Sequence, residues 1–287
     1  MSSPLTPDSL RITRLFMYPV KSCAGVELKE AVLTDAGLDL DRAWMVVDEQ
    51  GRFVTQRQLP RLALVKPQVK YSEVVLRAPG MLALHLAIDS VEAAVKVRIW
   101  DDEVAAYDMG AIAAQWFSDF IGRPLRLVRF DPEQRRLSSL RWTGGVEALN
   151  QFSDGFPLLV LGEASLDGLN ARLAAAGHGA VAIERFRPNI VFAGLAAHEE
   201  DQLQRIRIAA DGDVELALVK PCGRCPIPNI DPATGEVDPA VLQTLMEYRR
   251  NDLVNGAATF GMNAIVLQGA EQTLRVGQQA IRAAAAG

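Results

Sequence analysis

The 287-residue sequence has only three cysteines and three histidines, and aromatic residues make up 6% of it. Three cysteines cannot form a disulfide framework, and they cannot supply the roughly four ligands of an iron–sulfur domain. His85, His178 and His198 are scattered, so no second Cys or His pair completes a zinc site. Long apolar runs are missing as well. A stretch such as residues 156–161 falls far below the ~20 residues of a membrane-spanning helix. Nor is there an excess of cations. The formal net charge is −5, which argues against sequence-independent nucleic-acid binding. No Gly-x-Gly-x-x-Gly turn follows a strand pattern, so a dinucleotide-binding fold is not expected. The opening Met1-Ser2-Ser3-Pro4-Leu5-Thr6-Pro7-Asp8 carries neither a basic nor an apolar segment of a secretory signal. These absences point to a reducing cytoplasm, with no membrane and no nucleic acid as partner.

Other features are ordinary or abundant. Hydrophobic residues make up 49% and charged residues 23%, enough for the cores of two soluble domains. Period-two alternation predicts strands over 10–18, 26–33, 44–48, 52–55, 62–69, 73–76, 82–88, 95–100 and 125–130. Glu49-Gln50-Gly51 marks a hairpin between the third and fourth of these. Ile112, Trp116 and Phe120 predict a helix over 111–121, closed by Gly122 and Pro124. Residues 131–151 are polar and irregular, and they set a domain boundary of 1–130 and 131–287. The second half predicts strands over 156–161, 189–193, 204–208, 214–219, 264–267 and 274–281. It also predicts a helix over 165–176 and one starting at Asp238-Pro239. The fold class is α+β and β-rich: a β-barrel-like N-terminal domain, then a β-barrel domain with a few peripheral helices.

Two of the three cysteines fall in one loop, Pro221-Cys222-Gly223-Arg224-Cys225-Pro226-Ile227-Pro228. The spacing fits a zinc half-site, but there is no partner pair. It fits a thiol–disulfide pair, but Pro226 and Pro228 oppose the helix that such a motif opens. It also fits one exposed thiolate, favoured by Arg224, binding a soft metal that arrives inside an organic cofactor. Two cysteines in an ordinary loop satisfy the spacing equally. The motif alone leaves all four readings open.

Three further patches stand at strand ends: Tyr18-Pro19-Val20-Lys21-Ser22-Cys23, Asp41-Arg42-Ala43-Trp44 and Arg185-Phe186-Arg187-Pro188-Asn189. Singly, each reads as a solvated loop. Jointly, Lys21, Arg42 and Arg187 offer cations suited to a phosphate. These segments occur in order with Thr55-Gln56-Arg57-Gln58, Cys222-x-Arg224-Cys225 and Asp231-Pro232-x-Thr234-Gly235. In this the chain resembles MOSC-domain proteins with a companion N-terminal β-barrel domain, of the mitochondrial amidoxime-reducing type.

The resemblance implies a molybdenum cofactor, held as Mo-molybdopterin. Cys225 would be the metal ligand and catalytic residue, with Cys222 its neighbour. Lys21, Ser22, Arg42, Asp154, Arg187 and Asn189 would join Cys225 in binding the cofactor. The implied activity is reduction of N-hydroxylated compounds, with electrons from a separate iron–sulfur, flavin or haem protein. The alternative is a cofactor carrier or sulfur-transfer protein that uses a Cys225 persulfide. Two departures are visible. Gly155 and Phe156 stand where such relatives can carry hydroxyl residues, and Glu200-Asp201-Gln202-Leu203 lacks a following Trp.

Overall fold

The alternation of Leu10 and Ile12 continues in Leu15 only because the strand Ser9–Met17 changes register between Ile12 and Arg14. That bulge sends Leu15 inward and leaves Arg14 at the surface, so all three apolar side chains share one core. The computed structural model describes residues 9–283; Met1 to Asp8 and most of the Ala-rich tail lie outside the described residues. Ser9–Met17 pairs antiparallel with Ile190–Ala193 on one side and with Gln279–Ala283 on the other. Arg205–Ile208, Val214–Gly223 and Ala257–Gln268 continue the sheet. Leu158–Gly162 pairs with both Ala257–Gln268 and Ile190–Ala193 and closes a seven-stranded barrel. The barrel therefore takes one strand from the N-terminal side of the expected boundary.

The barrel interior is filled by Leu10, Ile12, Val160, Phe192, Leu216 and Ala264. Outside it, the helices Glu163–Ala175 and Ala240–Tyr248 bury Leu169, Leu173, Val241 and Leu245 against Phe16, Val191 and Phe260. Both helices begin near their predicted positions, and Asp238 Oδ1 accepts from the Ala240 N–H at 3.0 Å.

Residues 26–38 pair and pack with the barrel, and residues 43–130, with Val20 and Cys23 in their core, build the other unit. Trp44–Val47, Arg126–Phe130, Asp102–Asp108 and Ala94–Ile99 form a four-stranded sheet. Lys66–Val69, Glu73–Arg77 and Leu84–Ala87 form a second, smaller sheet. The helix Gly110–Ile121 packs Ala113, Trp116, Phe117 and Phe120 into the core beneath. It ends as expected at Gly122, whose φ is 87°.

Differences from the sequence reading have local causes. Residues 60–64 wind into a short 3-10 turn before the strand, because Pro60 starts one readily. Arg52 and Phe53 make isolated bridges only. Ala257–Gln268 runs 12 residues, well beyond the predicted 264–267. Its residues 258–262 are buried in succession, between barrel interior and helices, so no alternation marks them. No helix among the described residues is long and apolar enough to cross a membrane.

Candidate active site

The two units meet along a cleft of about 790 Å³, part of it open to solvent. Its walls come from places that sequence separates widely, among them the turn after Ser9–Met17, Arg42, Thr55 and Arg57, the segment 153–159, the turn before Ile190–Ala193, and the end of Val214–Gly223.

Tyr18 is fully buried beneath Arg42 and Arg187, and its hydroxyl donates to the Pro188 carbonyl at 3.1 Å. The Arg42 guanidinium carbon lies 4.4 Å from the Tyr18 ring centroid, and that of Arg187 lies 4.2 Å from it. Arg42 is held by Asp41, by Asn189 Oδ1 at 3.1 Å and by the Arg187 carbonyl at 3.3 Å. Arg187 donates to the Cys23 carbonyl at 2.6 Å and has no carboxylate partner among the described residues. Burial, and then the neighbouring Arg42 charge, bring the Arg187 pKa down to about 10. The guanidinium stays charged at neutral pH, yet an anion beside it would relieve the repulsion.

Lys21 is buried, and its ammonium donates to the Phe152 carbonyl at 2.8 Å and to Asp154 Oδ1 at 2.5 Å. Burial lowers the Lys21 pKa, and Asp154 works against that fall. Asp154 is itself held well below the usual carboxylate range. Desolvation in the cleft opposes this, but Lys21, Arg57 and the Trp100 indole outweigh it.

The cysteines lie at the other end of the cleft. Cys222 is the second-last residue of the strand Val214–Gly223, and Cys225 follows it; both are half-buried and unpaired. The next element is the 3-10 turn Ile227–Asn229, as Pro226 and Pro228 require. Arg224 Nη1 donates to Cys222 Sγ at 3.0 Å, and Nη2 donates to the Phe186 carbonyl at 3.0 Å. The guanidinium expected beside Cys225 thus rests on its neighbour, and Arg224 Nε is buried without a partner.

Backbone strain gathers here. Ser22, Arg42, Trp100 and Arg187 all have positive φ, between 53° and 66°. Each such residue costs about 1–3 kcal/mol, and such conformations persist where a site requires them.

A family model for the MOSC N-terminal beta barrel domain matches residues 9–124, and one for the MOSC domain matches 148–280. Mitochondrial amidoxime-reducing component 1 of Mus musculus is 38% identical over 251 residues, 84% of this chain and 72% of that one. The Homo sapiens protein of the same name is 37% identical over the same shares. Molybdenum cofactor sulfurase of Bos taurus is 30% identical over 266 residues, 85% of this chain and 29% of that one. This chain belongs to the MOSC-domain family.

In this MOSC protein the structure brings Lys21, Ser22, Arg42, Asp154, Arg187, Asn189 and Cys225 to the lining of one cleft. Their contacts differ. Asn189 is buried and spends both ends of its amide inside the protein. Its Oδ1 accepts from Arg42 and from the Leu159 N–H, and Nδ2 donates to the Phe16 carbonyl at 3.2 Å. Lys21 is largely committed to Asp154 and Phe152. Arg187 keeps most of its donors free for a guest.

Four residues of the cleft region escaped the sequence reading as site residues. Tyr18 carries two guanidiniums. Arg57 lines the cleft, and its guanidinium carbon is 4.6 Å from the Trp100 ring centroid. Trp100 stands at the mouth. Arg136, in the stretch that read as irregular, is buried and ties down the loop before Asp154. It donates to Asn150 Oδ1 at 2.6 Å and to the carbonyls of Gln151 and Ser153 at 2.7 and 2.8 Å. A buried, multiply bonded arginine leaves no periodic signal in sequence.

The lining fits an anionic guest that carries a soft metal. Lys21, Arg42, Arg57, Arg187 and Arg224 face a single carboxylate, Asp154. Two half-buried thiols stand beside them. Among the described residues no three His, Cys, Asp or Glu side chains group as ligands. A metal held here would bring its remaining donors with it, as a dithiolene does.

Proposed function

We propose that this chain is a molybdenum-cofactor-dependent reductase of N-hydroxylated compounds: amidoximes, hydroxylamines and N-hydroxylated bases. Its electrons would come from a separate iron–sulfur, flavin or haem protein. The observation that carries this reading is the pairing of Arg42 and Arg187 on Tyr18 in the same cleft that Cys225 lines. Its relatives' names give the same reaction class.

When bound, the cofactor supplies a centre that exchanges two electrons at an N–O bond. The chain's own residues do the rest. Cys225 offers the thiolate ligand, and Arg42 and Arg187 take the phosphate with charge-assisted hydrogen bonds. Ser22 adds a hydroxyl to the same wall. Asn189 holds Arg42 in place, and Asp154 orients Lys21. The overall change is R–N–OH plus two electrons and two protons giving R–N–H plus water. Three unpaired thiols fit a reducing compartment, and the cytoplasm is the one we propose.

The test is turnover by cofactor-loaded protein with an amidoxime. Reduction should proceed with a dithionite-reduced dye, or with NADH plus an added reductase and carrier protein, and not with NADH alone. Loaded protein that reduces no N-hydroxylated compound even with the dye would overturn the reading. It would favour the carrier or sulfur-transfer role, in which Cys225 bears a persulfide.

A further inference from the structure

A second groove, of about 900 Å³ and partly open to solvent, lies in the N-terminal unit. It shares no lining residue with the cleft between the units, and it adjoins the opening beside the cysteines through Trp100. Arg52, Arg98 and Arg123 line it against a single carboxylate, Asp48. The three come from separate places. Arg52 follows the hairpin turn at Gly51, Arg98 belongs to the strand Ala94–Ile99, and Arg123 follows the Gly122 that ends the helix Gly110–Ile121.

The backbone sets two of these arginines side by side. The Arg98 N–H donates to the Gly51 carbonyl at 2.8 Å, and the Phe53 N–H donates to the Arg98 carbonyl at 3.0 Å. This is a parallel bridge between Arg52 and Arg98. Val97 and Ile99 are buried, so Arg98 points outward beside Arg52. Like charges on neighbouring strands destabilise a sheet. The nearby carboxylates are engaged elsewhere. Asp48 Oδ1 accepts the backbone N–H groups of Gln50 and Arg52, at 3.0 and 2.9 Å. Glu103, opposite Arg98 in the strand pair, is bonded to Lys96 at 2.8 Å and feels Arg98 only through its charge. Among the described residues, the side chains of Arg52, Arg98 and Arg123 make no hydrogen bond or ion pair. Gln58 adds a further donor to the groove. Its Oε1 accepts from the Thr55 N–H and hydroxyl, both at 2.9 Å, so Nε2 is the free end of the amide.

We propose that this groove is a second anion site, distinct from the cofactor's, and that it binds a diphosphate group, free or carried by a nucleotide. The charge count asks for more than one negative charge. Arg52 and Arg98 take one phosphate between them, and Arg123, from another element, takes the next; each guanidinium offers a fork of N–H donors. Phe53 and Val54 give the groove an apolar side for whatever carries the phosphates. The charges line a concavity of small-molecule size, which suits a compact polyanion better than a broad acidic protein face.

The test is calorimetric titration of the full chain in an Arg187→Ala background, which disables the arginine pair of the cofactor cleft. The probes are pyrophosphate, inorganic phosphate, ADP and polyglutamate. Pyrophosphate should bind at one saturable site, and inorganic phosphate about tenfold more weakly. Adding Arg98→Gln or Arg123→Gln should each weaken pyrophosphate about tenfold or more, with an unchanged thermal melt because both side chains are exposed. ADP binding tighter than pyrophosphate would support a nucleotide held partly by Phe53 and Val54, and equal affinities would support the free anion. Three results would overturn the proposal: no saturable pyrophosphate binding, an affinity that neither Arg98→Gln nor Arg123→Gln changes, or polyglutamate binding where pyrophosphate does not, which would give the groove to an acidic protein.

Discussion

The Arg42 and Arg187 guanidiniums, 145 residues apart in sequence, both lie against the ring of Tyr18, at 4.4 and 4.2 Å from its centroid. Like charges at such range repel, and among the described residues Arg42 has a carboxylate, Asp41, to balance it while Arg187 has none. The arrangement is held by Tyr18, the Cys23 carbonyl, Asn189 and Asp41. A phosphate has oxygens enough to meet both guanidiniums.

Arg187→Ala should therefore weaken cofactor retention by about tenfold to a hundredfold, the loss of one charge-assisted contact. Arg42→Ala should do the same. Arg187→Ala should leave the fold intact, since it removes a like-charge contact, whereas Arg42→Ala should also lower stability, because it takes the partner from buried Asp41. Pterin released on dialysis, measured beside a thermal melt, checks both halves of the statement. A variant that melts far below wild type yet keeps its pterin would show that the pair serves the fold.

Asn189 should behave in the opposite way. Asn189→Ala strands the Leu159 N–H and the Phe16 carbonyl where no water reaches them. A loss of about 1–3 kcal/mol per stranded group is expected, read as a lower urea midpoint with the slope unchanged. Cofactor retention should fall as well, because Arg42 loses its brace.

Acid sensitivity should trace in part to His198. Burial first, then the charge of Arg249, push its pKa down to about 4 from an ordinary 6.5, with Asp201 opposing. The unfolded chain then binds the proton more readily than the folded one. His198 therefore costs nothing above about pH 6.5, and stability is lost as pH falls from there toward 4. Buried Glu200 contributes with opposite sign, because burial raises its pKa. The isolated effect is the gap in stability between His198→Gln and wild type, which should shift in favour of the variant as pH falls through that window. A gap that stays constant from pH 7 to pH 4.5 would remove His198 from the account.

Much of this was legible in the sequence where one face of an element is buried and the other wet. Leu10 and Ile12 alternate, and Trp116 and Phe120 repeat at helical spacing on a buried face, so these elements were found, although Ile112, read with that face, is 79% exposed. Ala257–Gln268 was mostly missed because burial on both faces leaves no alternation. Asp102–Asp108 was missed because its acidic and alanine residues have low strand propensity. At the site, the cations and the cysteine pair were readable as residue types at strand ends. Which thiol Arg224 touches was not readable, because the choice between Cys222 and Cys225 depends on where a strand stops. The roles of Tyr18 and Trp100 were hidden for a similar reason: an aromatic that carries guanidiniums, or fills a strained turn, has the same letter as one in a core.

The central claim is that Cys225, and not Cys222, is the thiolate that holds the metal. Molybdenum and pterin content, measured on protein made in a cofactor-competent host, tests it most directly. The expected result is one molybdenum per chain in wild type, most of it kept in Cys222→Ala and none in Cys225→Ala. Molybdenum retained by Cys225→Ala and lost from Cys222→Ala would contradict the account, and would give the ligand role to the thiol that Arg224 touches.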